Sequence, residues 1–169
     1  RTPLRRTRTK RKRPSEQTRC CHLTSHADAN PSRCTKPGRV IVDETERYCG
    51  THATETADRA AGDLVKARDG GCMLASFNDK PCLGTLSWVH LIPKGRYPSV
   101  RYVLENAVAG CASHHFAFDG APIEKEAWIT RHLGFAHYDA LKFLAVNSRK
   151  ERIVDVLVRL RGSTREGND

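Results

Sequence analysis

The sequence predicts an α+β protein in which a small cysteine-rich module precedes a mixed core and a helical C-terminal part. Seven cysteines fall in two clusters with nearby histidines, and a segment with the apolar spacing of a helix separates the clusters. A strand-like apolar run at 88–92 lies inside the second cluster, and helical patterns follow residue 120. With 38% hydrophobic residues in 169, the chain can fill one or two small domains but not a large multidomain enzyme.

Positive charge is concentrated at the start of the chain. Residues 1–19 carry a net charge of +8, whereas the other 150 residues carry only +2. Because Leu4 is the one aliphatic residue of this arm, we expect 1–19 to be disordered. Such an arm neutralises phosphates, which favours binding to DNA over the alternative of a solubilising or targeting tail. The arm residues expected to contact DNA are Arg5, Arg6, Lys10, Arg11, Lys12 and Arg13.

Several classes of protein are excluded by patterns that the sequence lacks. No run of about 18 apolar residues is present, so we expect no membrane association. No apolar signal-peptide core follows the basic start, so we expect an intracellular protein that is not secreted. An odd number of cysteines in such a protein argues against a disulfide framework and favours zinc.

The first cysteine cluster predicts a zinc-binding module at 20–52. Few large apolar residues lie in this segment, so a metal ion is needed to stabilise it. Cys49 and His52 are separated by two residues, and we expect them on a tight turn where both reach one ion. The complete Cys3His set is Cys21, Cys34, Cys49 and His52, with Cys20 and His26 left open as competing ligands.

A linking helix is predicted at 53–71. Its apolar residues are spaced at i, i+3, i+4, i+7 and i+8, and the pair Gly70-Gly71 ends it. The residues that give this spacing are Ala57, Ala60, Ala61, Leu64 and Val65.

Residues 67–119 contain an ordered series of short motifs. Arg68-Asp69-Gly70-Gly71-Cys72 comes first, a strand-like run then ends near His90, and Asn106 precedes a second apolar run. Cys111-x2-His114-His115 closes the series. This order resembles the HNH, or ββα-metal, endonuclease family of phage type, here preceded by the Cys3His module. The resemblance implies a ββα nuclease core at 72–121.

The resemblance and the residue types together imply an active site. A neutral imidazole suits a base that activates water near pH 7, which makes His90 the candidate base, and the resemblance implies that Asn106 aims it. His115 is implied as a metal ligand, and Asp119 lies four residues on, on the same helical face. A carboxylate ligand favours Mg2+ or Mn2+ over Zn2+ as the catalytic ion.

Two features leave alternatives open. Many family members carry Asp or His where this chain has Val89, so the ion would be weakly held, activity reduced, or a residue such as Glu105 would assist. Each site residue also has an ordinary alternative, such as a core histidine at His90 or a turn aspartate at Asp119.

A second structural zinc is predicted inside the core, with buried free cysteines as the rival interpretation because the gap between the first two ligands is long. Its ligands are Cys72, Cys82, Cys111 and His114. In the loop after His90, basic residues alternate with tyrosines, which favours contact with a nucleic-acid backbone. The residues concerned are Lys94, Arg96 and Arg101.

The remaining chain predicts a helical C-terminal cap at 122–161 and a disordered tail at 162–169. One helix is expected to begin at Pro122 and end near Gly134, and another to cover 137–147. The apolar, β-branched run at 153–160 fits helix or strand, and its helical context favours helix.

The sequence therefore predicts a metal-dependent DNA endonuclease that nicks one strand per active site, leaving 5′-phosphate and 3′-hydroxyl ends as the resemblance implies. A non-catalytic zinc-dependent nucleic-acid-binding protein, a nuclease for branched recombination DNA and an RNA nuclease remain alternatives. The resemblance also implies phage terminase or recombination proteins as partners and, for a phage-encoded protein, the host cytoplasm as location. The oligomeric state is not predicted.

Overall fold

A computed structural model describes residues 23–24, 32–33, 36–42 and 46–166 of the chain. The chain divides into two compact units, residues 1–53 and 54–169. The described residues form five α-helices and three two-stranded antiparallel sheets, which confirms the α+β class. None of the helices in these described ranges combines the length and apolar character that crossing a membrane requires.

The first unit contains two very short sheets. Strands β1 (Leu23–Thr24) and β2 (Ser32–Arg33) pair with each other, as do β3 (Val40–Ile41) and β4 (Arg47–Tyr48). Cys49 follows β4 directly, is buried, and packs beside Tyr48.

Helix α1 spans Gly50–Asp69, close to the predicted 53–71. Small side chains line its buried face, and Ala57, Ala61 and Val65 recur at intervals of four residues. Gly70 adopts φ +65° directly after the helix, a conformation that residues with a Cβ rarely adopt. The helix begins three residues earlier than expected, so the predicted tight turn for Cys49 and His52 is wrong. His52 lies instead in the first helical turn, where the chain already follows helical geometry.

The second unit is built around one antiparallel strand pair. Strand β5 (Leu86–His90) pairs with β6 (Ala107–Cys111), with His90 opposite Ala107 and Leu86 opposite Cys111. Every residue of β6 is buried, and helix α2 (Ala112–Gly120) follows it without a loop. Gly110 is required at its position, because a Cβ there would lie 2.8 Å from Val89 Cγ2 and 2.9 Å from Leu74 Cδ1.

The segment that leaves α1 covers the outer side of β6. Asp69 Oδ2 accepts a hydrogen bond from the Ala109 amide at 2.7 Å, and the Arg68 guanidinium donates to the Ala107 carbonyl at 2.7 Å. The Cys111 amide donates to Cys72 Sγ at 3.3 Å. The Arg-Asp-Gly-Gly-Cys segment of the sequence thus bonds the strand along its length.

Three further helices complete the second unit. They are α3 (Pro122–Leu133), α4 (Phe135–Asn147) and α5 (Ile153–Glu166). Proline stands in the first turn of α3, and Gly134, with φ +79°, separates α3 from α4, both as expected. The main core joins residues from the strands, α2 and α3; its buried members are Leu74, Val89, Leu91, Val108, Phe118, Trp128 and Ile129.

The C-terminal prediction needs one correction. The run at 153–160 is helical, but the expectation that 162–169 lacks structure is wrong for 162–166, which continue α5. Val156, Leu157 and Leu160 are buried, so packing holds the first turns of α5 in place. Once a helix is anchored, each further residue adds one backbone hydrogen bond at little cost, even where the sequence is polar. Residues 167–169 lie outside the described part.

Candidate active site and metal centre

Three cysteines and one histidine converge beside the strand pair. Cys72 follows the end of α1, Cys82 lies in the loop before β5, Cys111 ends β6, and His114 is in the first turn of α2. Their ligand atoms all lie within 4.8 Å of one another. Elsewhere in the described ranges, no other group of three or more Cys, His, Asp or Glu side chains comes together in this way. The predicted convergence of these four residues is confirmed.

The distances in this cluster suit a tetrahedral ion. His114 Nδ1 lies 3.0 Å from Cys111 Sγ, 3.5 Å from Cys82 Sγ and 3.6 Å from Cys72 Sγ. Ligands at zinc-to-sulfur and zinc-to-nitrogen lengths of about 2.3 and 2.0 Å stand roughly 3.5 Å apart around a tetrahedron. The four residues therefore form a cage that is consistent with structural zinc.

Crowding of the thiols changes their acidity. Burial, together with hydrogen bonds to Cys111 and Cys72, raises the pKa of Cys82 to about 11. Burial also acts to raise the pKa of Cys111, but hydrogen bonds from Ser113 and His114 outweigh it and lower that pKa to about 5. Three sulfurs this close favour a shared cation over three independent thiols.

His90 ends β5, and the residue is only 9% exposed. Its Nε2 lies 3.0 Å from the Arg101 carbonyl oxygen, which can only accept a hydrogen bond, so Nε2 carries the proton in this contact. Nδ1 is then the nitrogen that keeps its lone pair. Burial, opposed by the Arg101 hydrogen bond and aided by the charges of Lys94 and Arg101, lowers the pKa of His90 to about 4. The imidazole is neutral at pH 7, as a base must be.

Asn106 is fully buried and ties together the ends of the loop between the two strands. Its Oδ1 accepts from the Ile92 amide at 2.8 Å, and its Nδ2 donates to the Ile92 and Val100 carbonyls at 3.1 and 3.0 Å. The resemblance implied that Asn106 aims His90. In the structure it holds the backbone, and the Arg101 carbonyl contacts the ring.

The Arg101 carbonyl is fixed by a contact that the sequence does not reveal. The Arg101 guanidinium forms a bidentate ion pair with Asp58 on α1. Two side-chain bonds brace the same loop from the C-terminal helices: Ser99 Oγ donates to the Ala145 carbonyl at 2.9 Å, and Arg159 donates to the Tyr102 carbonyl at 3.2 Å. We expected Arg101 to contact DNA. In the structure its guanidinium is instead paired with Asp58.

His115 and Asp119 lie one turn apart on α2, as their spacing predicts. His115 Nε2 lies 3.2 Å from Asp119 Oδ2. On the other side of the ring, Ser87 Oγ lies 3.1 Å from His115 Nδ1 and 3.3 Å from the Gly110 carbonyl oxygen, so a hydrogen bond holds the ring from that side. His115 Nε2 and Asp119 Oδ2 thus lie side by side at the edge of α2. Adjacent ligands of a divalent ion at about 2.1 Å stand roughly 3 Å apart, so the pair fits such an ion.

His90, His115 and Asp119 share one open cavity of about 220 Å³. Its lining residues are Trp88, His90, Pro93, Lys94, Gly95, His115, Asp119 and Lys125. Lys94 Nζ lies 5.1 Å from the centre of the Trp88 ring, and Lys125 Nζ lies 2.9 Å from Asp119 Oδ1. Sequence reasoning missed Lys125, because its contact with Asp119 depends on how α3 packs against α2.

Other predicted site residues are placed as follows. Arg96 packs its guanidinium 5.4 Å from the Tyr97 ring, in the loop that leaves the cavity. Val89 is fully buried in the main core, so it does not face the cavity. The remaining ligands of the N-terminal zinc module, Cys21 and Cys34, and the basic arm residues lie outside the described residues.

No family model, curated protein sequence or solved structure matches the chain.

Proposed function

We propose that the chain is a metal-dependent DNA endonuclease of HNH type, which hydrolyses phosphodiester bonds and cuts one strand per active site. The observation that carries this proposal is the shared cavity of His90, His115 and Asp119, formed by two antiparallel strands and the helix that follows them. A neutral imidazole in the base-competent tautomer lies beside an imidazole–carboxylate pair that fits a divalent ion. Phosphodiester hydrolysis needs this combination of a base and a concentrated positive charge.

In the proposed reaction, His90 accepts a proton from water at Nδ1 while that water attacks the phosphorus. The Arg101 carbonyl holds Nε2–H, fixes the ring and stabilises the positive charge that the imidazole gains. His115 and Asp119 would hold the divalent ion, Mg2+ or Mn2+. When bound, that ion supplies positive charge next to the leaving 3′ oxygen.

Binding of the substrate is supported by charge. Lys94 and Lys125 line the cavity with one carboxylate, Asp119, so the formal charge of these side chains is +1 before any ion binds. A phosphodiester carries one negative charge and is attracted to such a cavity. We assign the Cys72, Cys82, Cys111 and His114 cage a structural role, in which zinc fixes the start of α2 and thereby His115.

The proposal is tested by incubating the purified protein with supercoiled plasmid in EDTA, Mg2+, Mn2+ or Zn2+. We expect metal-dependent conversion to open circles, which His90→Ala abolishes and His137→Ala leaves unchanged. His137 is a matched control because it is an exposed histidine on α4, away from the cavity. Linear product would indicate paired active sites. Plasmid left intact with every metal would falsify the proposal.

A second candidate, nucleic-acid binding without hydrolysis, is favoured by one observation. Val89 is buried where members of the HNH family often place a further ligand, so apart from the base His90 the cavity side chains suited to an ion are His115 and Asp119. In that case the protein would retard plasmid in a gel without converting it, and His90→Ala would bind as the wild type does.

A further inference from the structure

Lys125 holds its ammonium group inside the cavity rather than in solvent. Its side chain is 13% exposed, although lysines are among the most solvated residues of proteins. Nζ donates to Asp119 Oδ1 at 2.9 Å and to the His90 carbonyl at 3.2 Å, and it lies 4.5 Å from the centre of the Phe118 ring. The group therefore touches both halves of the candidate site, the ion-binding pair and the residue that bears the base.

The two oxygens of Asp119 face different partners. Oδ2 lies toward His115 Nε2 and Oδ1 toward Lys125. A divalent ion held by His115 and Asp119 would thus share one carboxylate with an ammonium group. The ion and the Lys125 ammonium would repel each other, and no acidic side chain other than Asp119 lines the cavity to offset their charges. The ion and the ammonium group therefore compete for the charge of this one carboxylate.

A phosphodiester provides the alternative partner that a displaced ammonium needs. Lysine has four rotatable bonds, so Nζ can move several ångströms without any backbone change. The substrate brings one negative charge into the cavity that Lys125 already lines. An ammonium donating to a non-bridging oxygen stabilises charge that grows on the phosphate during attack.

We propose that Lys125 is an exchangeable counter-ion, which neutralises Asp119 in the free protein and moves to the scissile phosphate when the divalent ion binds. This inference rests on the proposed nuclease function. It assigns to Lys125 contact with substrate as well as competition with the ion. A lysine that merely joins α2 to α3 would do neither.

The experiment compares wild type with Lys125→Met in the full chain, first by titrating Mn2+ without DNA and following free Mn2+ by electron paramagnetic resonance. Removing the competing ammonium is expected to tighten Mn2+ binding about tenfold. In single-turnover plasmid nicking at saturating Mn2+, the same variant is expected to lose about 100-fold in rate. Tighter binding of the ion together with slower cleavage is the combination that supports the proposal.

Lys142→Met is the matched control. Lys142 also pairs with a carboxylate, Asp139, and also lies over an aromatic ring, that of Tyr138, but it is on α4 and does not line this cavity. Lys142→Met should change neither the affinity for Mn2+ nor the rate of nicking. Lys125→Arg serves as the second variant in case the methionine disturbs folding; it retains the charge, so Mn2+ binding should stay as weak as in wild type.

Failure of the counter-ion role can be distinguished from failure of the proposed nuclease function. If wild type binds Mn2+ and nicks DNA while Lys125→Met binds Mn2+ equally or more weakly, the counter-ion role is overturned and the nuclease proposal stands. If wild type neither binds Mn2+ nor nicks DNA, the proposed function fails and this inference fails with it.

Discussion

The protonation state of His90 is set by its surroundings. Burial is the main cause that lowers its pKa to about 4, and the Arg101 carbonyl defines which nitrogen keeps the proton. An exposed imidazole has an ordinary pKa of 6.5, so part of it would be protonated at slightly acidic pH. That protonated fraction could not accept a proton from water. Here the base stays neutral over the whole physiological range.

This state predicts a pH dependence. Protonation of His90 inactivates the base, so in the metal-free protein its titration, followed by the side-chain 15N shifts in NMR, should have a midpoint of about 4. An unfolded chain takes up the same proton near pH 6.5, so this residue lowers the stability of the fold increasingly as the pH falls from 6.5 toward 4. His90→Gln should remove that part of the acid destabilisation. A midpoint near 6.5 would contradict the described environment.

Asp58 is expected to act on catalysis through Arg101. Asp58→Asn weakens the bidentate ion pair that fixes the Arg101 carbonyl against His90, and should cost about 1 kcal/mol in the free energy of unfolding. The nicking rate should fall about tenfold while Mn2+ affinity is unchanged, because positioning of the base is lost and the ion-binding pair is not touched.

A matched variant separates positioning from general destabilisation. Asp155 lies on α5, far along the chain from the site, and Asp155→Asn breaks a similar bidentate pair with Arg152, which directly precedes that helix. Equal losses of nicking in the two variants would show that Asp58 has no special relation to His90.

The sequence could predict those site residues that lie only a few positions apart along the chain. His115 and Asp119 are four residues apart in a helix, and Cys111 and His114 are separated by two residues at its start, so local geometry alone brings each pair together. Lys125 and Asp58 could not be found in this way. Lys125 meets Asp119 where α3 packs against α2, and Asp58 on α1 meets Arg101 in the loop after β5. The spacing of these residues in the sequence does not indicate either contact.

At the scale of elements, the pairing of β5 with β6 depends on a residue without a side chain. Gly110→Ala would place a methyl group within 3 Å of Val89 and Leu74. We expect a loss of about 1–3 kcal/mol, since a packed core accommodates an added carbon poorly. Gly71→Ala is the control, because a Cβ there meets no atom within 4 Å. Urea unfolding of both variants gives the measurement, and equal midpoints would contradict the described packing.

The elements themselves were predicted to different degrees. The alanine spacing indicated α1 well, and Pro122 and Gly134 marked the ends of α3. The start of α1 and the end of α5 were placed wrongly, because tertiary packing extends a helix beyond the residues that favour it. The register of the strand pair could not be predicted, since β6 is buried throughout and shows no alternation.

At the scale of the whole molecule, the two cysteine clusters predict a count of metal ions. The purified chain should carry two zinc ions, and Cys111→Ser should remove one of them. Because zinc binding contributes directly to folding, that variant should also lower Tm by at least about 10 °C. Cys21→Ser should remove the other ion and leave the Cys72, Cys82, Cys111 and His114 cage loaded. Elemental analysis and thermal melts supply both readouts, and a wild type free of zinc would contradict the assignment.

The bonds that Arg68, Asp69 and Cys72 make along β6 have a consequence for solubility. An exposed strand edge is a template on which another chain can add its own strand, and such additions lead to aggregation. Here side chains occupy the sites that an incoming backbone would use. The Cys72 contact lies within the metal cage, so stripping the ion with a chelator would release one of these protections. We therefore expect a chelator to make the zinc-loaded protein aggregate before its fold is otherwise lost.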